Sequence, residues 1–345
     1  VILKTSSNTL NLKRIKKQIN IHFGNFFIMI IKNHRSFICG VKGKVLSKKE
    51  IEFLKKYKPW GIILFKRNIG SIKQTINLTN SIKKIFNNKN YPIMVDEEGG
   101  RVSRLRKFID NSIFTAEYFG NLYKKNINKF DIYYSVYVKQ IAYLLRLLGI
   151  NINTVPVLDI KRKKFHKIVD DRSFSTDKKI VSKIGDRCIK LFHSNRVATV
   201  IKHIPGHGLA KVDSHKNLPR ITRNEQYLIK NDFYPFKNKS SLLAMTGHLL
   251  FEKIDPENNA THSKKINKLI RNKIKFKGLI MTDDISMKAI KDKLAISVKK
   301  SFLAGCNLVL HCNGNLSEMK IVAQNSPKTN QFIIKKTSQL TRIIG

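Results

Sequence analysis

The 345-residue sequence is 42% hydrophobic and 26% charged, a balance typical of soluble globular chains and far from the composition of disordered ones. Lys and Arg total 67 against 23 Asp and Glu, a formal net charge of +44, which raises nucleic acid or an anionic membrane as partners. The lysines are spread along the whole length rather than gathered into an arm or stripe, which disfavours a dedicated nucleic-acid surface. No run approaches the roughly 18 apolar residues of a membrane span, and Cys39, Cys188, Cys306 and Cys312 form no C-x-x-C pair, so a reducing, cytoplasmic setting is expected.

Residues 1–35 hold a basic stretch (Lys13, Arg14, Lys16, Lys17) before an apolar run from Phe26 to Ile31. The outline faintly resembles a signal peptide. Interruption by His22, Gly24 and Asn25, and Lys32-Asn33-His34-Arg35 where a cleavage site should be, favour a poorly ordered basic extension, with Met29 as an alternative start.

From residue 36 onward, short β-branched runs alternate with segments of helical period. The spacing predicts strands over Phe37 to Val41, Trp60 to Phe65, Tyr91 to Val95, Ile150 to Val157, Val197 to Ile201, Leu242 to Thr246, Leu279 to Thr282 and Asn307 to His311. Between them, helices are predicted over Lys48 to Tyr57, Ile72 to Phe86, Tyr133 to Leu148, Ile180 to Asn195 and Asn224 to Asn231. Eight strands in this alternation are the count of a (β/α)₈ barrel, an α/β fold, and no G-x-G-x-x-G or Walker sequence supports a doubly wound sheet instead. No linker divides the chain, so residues 36–345 are expected to form a single domain, with the polar helical segment from about Ser326 closing the outer ring.

The polar motifs follow the predicted strands, where a barrel builds its active site. Asp96 opens DEEGGRVSRL, in which Gly99-Gly100 makes a tight turn and Arg101 and Arg104 follow at helical spacing. Asp96 and an arginine suit the gripping of sugar hydroxyls, or equally a helix cap with surface ion pairs. Asp159 follows the fourth strand. In KHIPGHGLAKVDSH, Pro205, Gly206 and Gly208 force a loop carrying His203, His207, Asp213 and His215. Asp213 and His215, two apart, project to one side of an extended backbone, so the carboxylate can hold the imidazole as a general acid/base. The alternatives are ordinary loop histidines, or zinc, for which His203, His207 and His215 lack the i, i+4 spacing. His248 follows the sixth strand. In GLIMTDDISM, Asp283 is placed to attack an anomeric carbon, while Asp284 is the better cap for a following helix.

DEEGGRVSRL, DDRSFSTD, KHIPGHGLAKVDSHKNLP and MTDDISM, in this order from about Ser36 to Asn315, resemble the motifs of glycoside hydrolase family 3 β-N-acetylhexosaminidases, the cytoplasmic enzymes of peptidoglycan recycling. The resemblance implies retaining hydrolysis with Asp283 as nucleophile and His215, supported by Asp213, as acid/base. It implies sugar contacts by Asp96, Arg104, Arg172, Lys202 and His203, and no cofactor or metal. Glu97 stands where the family usually has Gln, and Asp170-Asp171 where Gly-Asn or Gly-Glu is common. The expected partner is a small saccharide or muropeptide and the expected state a monomer. Rival readings are a glycoside phosphorylase, a β-glucosidase of the same barrel family, or, on charge alone, a nucleic-acid-binding protein.

Overall fold

The computed structural model describes residues 31, 33–162, 169–210 and 218–345. Within them, eight parallel strands close into a barrel in sequential order: β1 (Arg35–Gly40), β2 (Pro59–Leu64), β3 (Ile93–Val95), β4 (Ile152–Asn153), β5 (Ala198–Ile204), β6 (Leu243–Thr246), β7 (Leu279–Asp284) and β8 (Leu308–His311). Both faces of each strand are buried, as a parallel sheet under helices requires. Ile38, Ile63, Met94, Val200, Met245, Met281 and Leu310 fill the barrel, while their neighbours Phe37, Ile62, Val95, Ile201, Ala244, Ile280 and Val309 pack outward beneath the helices. Within the apolar runs read in the sequence, successive residues thus divide between an inner core and an outer one.

Strand ends shift from the predicted positions for identifiable reasons. β4 is pared to two residues because Pro156 has no N–H to give the ladder, yet pairing resumes at once, Leu158 N donating to the Lys202 carbonyl at 2.7 Å. β5 and β7 run longer than expected, so Lys202, His203, Asp283 and Asp284 lie inside the last residues of strands rather than in the loops beyond. A short parallel pair, Arg220–Ile221 with Leu250–Phe251, was not signalled by any alternation and ties the chain after residue 217 to the segment leaving β6.

The last helix, Gln331–Ile344, does not join the outer ring as the sequence suggested. Its Ile333 and Leu340 pack into the barrel's interior core, and Trp60 Nε1 donates to Thr337 Oγ1 at 2.8 Å. It plugs the end where the strands begin, because the buried indole there needs an acceptor and the apolar helix face needs cover. The opposite end is left open. Among the described residues no helix is long and apolar enough to cross a membrane.

Candidate active site

The open end is lined on one side by the ends of β3, β4 and β5. Asp96 and Glu98 are two residues apart and project to the same side. Lys202, buried at the end of β5, donates to Asp96 at 3.0 Å, to Glu98 at 2.6 Å and to Thr154 Oγ1 at 2.8 Å. Thr154 in turn donates to Asp96. Arg172 forks onto Glu98 through Nε at 2.7 Å and Nη2 at 2.8 Å, and Arg104 approaches Asp96 at 3.5 Å. Burial opposes ionisation of both carboxyls, but the cations outweigh it: Asp96 is held well below the usual carboxylate range, and Glu98 is brought down to about 2. The same carboxylates overcome the burial that would discharge Lys202.

The turn after Asp96 is set by backbone that only glycine adopts easily. Gly99 and Gly100 have φ of +92° and +57°, and a Cβ on Gly99 would lie 2.3 Å from the Phe114 carbonyl. No helix follows. Arg101 instead pairs with Asp171 at 3.0 Å, while Arg104 returns to the mouth. Glu97 holds the loop from beneath, its carboxylate accepting from Arg104 N at 2.7 Å, Leu105 N at 2.9 Å and Asn111 Nδ2 at 2.7 Å.

Asp159, fully buried beyond β4, is the anchor of the histidine-bearing segment. It accepts from His203 Nδ1 at 2.7 Å and from His207 N at 2.7 Å. Its own burial is overcome by attraction to His203, so it stays ionised and fixes the His203 proton on Nδ1, leaving Nε2 for a ligand. His207 is brought down to about 4, first by burial and then by repulsion from His203, and is therefore neutral at pH 7.

Across the mouth, β7 presents Asp283. Burial opposes its ionisation, but attraction to His203 and His248 and the hydrogen bond from Asp284 N, at 2.8 Å, hold it below the ordinary range. Unlike Asp96 and Glu98, it forms no ion pair among the described residues. His248 Nε2 donates to the Asp284 carbonyl at 3.0 Å, and Nδ1 accepts from Thr261 Oγ1 at 2.8 Å, whose own acceptor site takes Thr246 Oγ1 at 2.9 Å. That chain fixes a neutral tautomer under the last peptide of β7. Asp284 caps a turn and not a helix: its Oδ1 accepts from Ser286 N at 3.1 Å, Ser286 Oγ at 2.9 Å and Cys312 N at 3.2 Å, and the next helix begins only at Leu294.

Asp96, Arg104, Arg172, Lys202, His203 and Asp283, all read from sequence, line one cavity of about 230 Å³. Asp213 and His215 lie outside the described residues. The described chain enters their segment at the buried Ala210, next to the His203, His207 and Asp159 cluster, and leaves it at Pro219, whose carbonyl accepts from Leu250 N at 2.9 Å. Glu98, Thr154, Phe65 and Cys312 were missed. Glu98 had a readable signal, the i, i+2 spacing from Asp96, whereas Thr154, Phe65 and Cys312 are marked only by their places at strand ends.

The family model for the glycosyl hydrolase family 3 N terminal domain matches residues 31–343. A β-hexosaminidase of Haemophilus influenzae is 30% identical over 289 residues, covering 81% of this chain and 79% of that protein. β-Hexosaminidase A of Pseudoalteromonas piscicida is 30% identical over 261 residues, 70% of this chain, which spans only 43% of that longer protein. Among solved structures, NagZ from Neisseria gonorrhoeae in complex with N-trifluoroacetyl-D-glucosamine superposes with a TM-score of 0.81 at 26% identity, covering 90% of both chains.

Proposed function

This chain belongs to glycosyl hydrolase family 3, as one of its β-N-acetylhexosaminidases, and we propose that it is an exo-acting, retaining enzyme that works through a covalent glycosyl-aspartate. In this reading a terminal N-acetylglucosamine enters ring-first. Its hydroxyls are gripped by Asp96, Arg104, Arg172, Lys202 and His203, and C1 faces Asp283. The Asp283 carboxylate attacks C1 while His215, oriented by Asp213, protonates the departing oxygen. His215 then takes a proton from water, which displaces Asp283 and releases the sugar with its original configuration.

The observation that carries this reading is the contrast in carboxylates around one cavity. Asp96 and Glu98 have their oxygens occupied by Lys202, Arg104 and Arg172, so they can bind but not attack, whereas Asp283 is ionised and has no cation partner among the described residues. The bound N-trifluoroacetyl-D-glucosamine of the gonococcal neighbour supports an aminosugar as the occupant. The substrates proposed are muropeptide fragments with terminal N-acetylglucosamine β-1,4-linked to 1,6-anhydro-N-acetylmuramic acid, processed in cell-wall recycling in the cytoplasm. Four unpaired cysteines support a reducing compartment.

The test is NMR of the first-formed sugar from 4-nitrophenyl N-acetyl-β-glucosaminide. The β-anomer of free N-acetylglucosamine is expected. The α-anomer as first product, or a sugar 1-phosphate in phosphate buffer, would replace retaining hydrolysis with inversion or phosphorolysis.

A further inference from the structure

The helix Ile127–Leu147, which carries the chain back to the start of β4, is apolar on both sides. Its inner face, with Phe130, Tyr134, Tyr137, Val138, Ile141 and Leu145, is buried in the core between barrel and helices. On the outer face Ile132, Val136, Tyr143 and Leu147 follow one another at four, seven and four residues, which stacks them in one line along the helix, with Tyr133 beside them. These five side chains are 41 to 64% exposed. Of the fourteen exposed large hydrophobic residues among the described ones, six lie on this helix and no other helix carries more than two, so the stripe is a patch and not the scatter that every surface shows. A helix apolar all round calls for cover on both sides, and the fold covers one.

The charge around the stripe selects what covers the other. Lys129, Lys139 and Arg146 are exposed on the same helix, and Lys183 and Lys190 on the adjoining helix Lys178–Ser194; none of the five forms an ion pair among the described residues. The acids of this helix and of the two packed against it are already answered: Asp131 by Arg187 at 2.9 Å, Asp186 by Lys239 at 2.9 Å, and Glu117, on the preceding helix Ala116–Lys125, by Lys161 at 2.7 Å. A second copy of the chain fits poorly. Each copy carries a formal charge of +44, and laying helix on helix would set Lys139 and Arg146 against their like. An extended partner that is apolar within and negative at its edge answers both the stripe and its cations.

We propose that this face docks the protein on an anionic lipid bilayer. Ile132, Val136 and Leu147 enter the boundary between headgroups and acyl chains, Tyr133 and Tyr143 sit with their hydroxyls at headgroup level, and the flanking lysines and Arg146 meet the lipid phosphates. The helix lies on the membrane and does not cross it. Because the stripe is on the outer wall of the barrel, the mouth and its cavity stay open to substrate.

Flotation with vesicles of phosphatidylcholine containing phosphatidylglycerol, compared with phosphatidylcholine alone, tests the proposal. Wild type is expected to float with the anionic vesicles. A chain of net charge +44 can adhere by charge alone, so the deciding variants change apolar groups. Val136→Ser/Tyr143→Ser/Leu147→Ser should weaken binding by about a hundredfold. Ile296→Ser/Leu303→Ser, exposed on the helix between β7 and β8 across the barrel, should leave it unchanged. Should the triple variant fail to fold, Tyr143→Trp and Leu303→Trp locate the contact in otherwise intact protein, since the single native tryptophan, Trp60, is buried. Emission from Tyr143→Trp should move to the blue on anionic vesicles, and emission from Leu303→Trp should not. Absence of wild-type binding, equal affinity of the triple variant and wild type, or a blue shift missing from Tyr143→Trp would overturn the proposal. So would light scattering that shows a dimer split by the triple variant, which gives the face to a second copy.

Discussion

Asp96 and Asp283 are both carboxylates at strand ends, both in one cavity, and both held ionised against burial, yet by unlike means. Asp96 is neutralised on the spot by Lys202 and Arg104, and a hydroxyl from Thr154 takes up more of its capacity. Asp283 is stabilised by two nearby imidazoles, one backbone N–H and the more distant charge of Lys202, with no ion pair to any of them among the described residues. The difference assigns the roles: a carboxylate fully engaged with cations positions a ligand, and one kept ionised but unengaged has a lone pair to offer an electrophile.

Removing the unengaged carboxylate should have the largest effect. Asp283→Ala is expected to lower kcat by about a thousandfold or more on every glycoside while the protein remains folded. A modest loss on the nitrophenyl glycoside would mean that another group attacks. Next, His215→Ala should slow the disaccharide by about a hundredfold or more but the first step on the nitrophenyl glycoside far less, because nitrophenolate leaves without protonation. Equal losses would contradict its role as the acid. On the engaged side the damage should fall on stability: Lys202→Met takes from two buried carboxylates the cation they share, at a cost of about 3–5 kcal/mol, readable as a lowered melting temperature. A neutral melting curve there would undo the contrast.

Acid should separate the two environments by pH. His207 and His262, at about 4, are kept neutral first by burial, so the unfolded chain binds protons that the folded one refuses between pH 6.5 and 4. Stability from them is complete above pH 6.5 and is lost as pH falls toward 4. Glu98 shifts the other way round its own range, from 4.5 to about 2, so its contribution is complete above pH 4.5 and disappears only below it. Melting temperature should therefore begin to fall before the Glu98 contribution is touched. A curve flat from pH 6.5 to 4.5 would contradict the neutral buried histidines.

The smallest effect is expected at Glu97, where the family usually carries Gln. Burial raises its carboxyl despite the donors around it, and the buried Asn111 Oδ1 has no partner. A Gln amide could donate to that oxygen once Asn111 turns over, so Glu97→Gln should change stability by less than about 1 kcal/mol and activity by a few-fold at most. Larger losses would show that the carboxylate charge itself supports the Arg104 loop.

The barrel and most of its mouth were legible because each strand end carries its own short-range signal: a β-branched or apolar run up to Val95, Ile201 or Thr282, then a charged or turn-forming residue. What escaped depends on partners distant in sequence. Nothing near Trp60 reveals that Thr337 will accept its indole proton, so the last helix could not be placed under the barrel. His248 becomes a fixed, neutral support for β7 only through Thr261, thirteen residues away. Asp284 was misread as a helix cap because an Asx turn and a first helical turn begin with the same residue types. The order of the chain states which groups reach the mouth, but which of them neutralise one another is a property of the closed barrel.

Incubation with 5-fluoro-N-acetylglucosaminyl fluoride, followed by proteolysis and mass spectrometry, tests the covalent step itself. One sugar per chain on the peptide containing Asp283, at that residue, is the predicted result. Label on any other residue, or an unlabelled protein that nonetheless turns the reagent over, would contradict it.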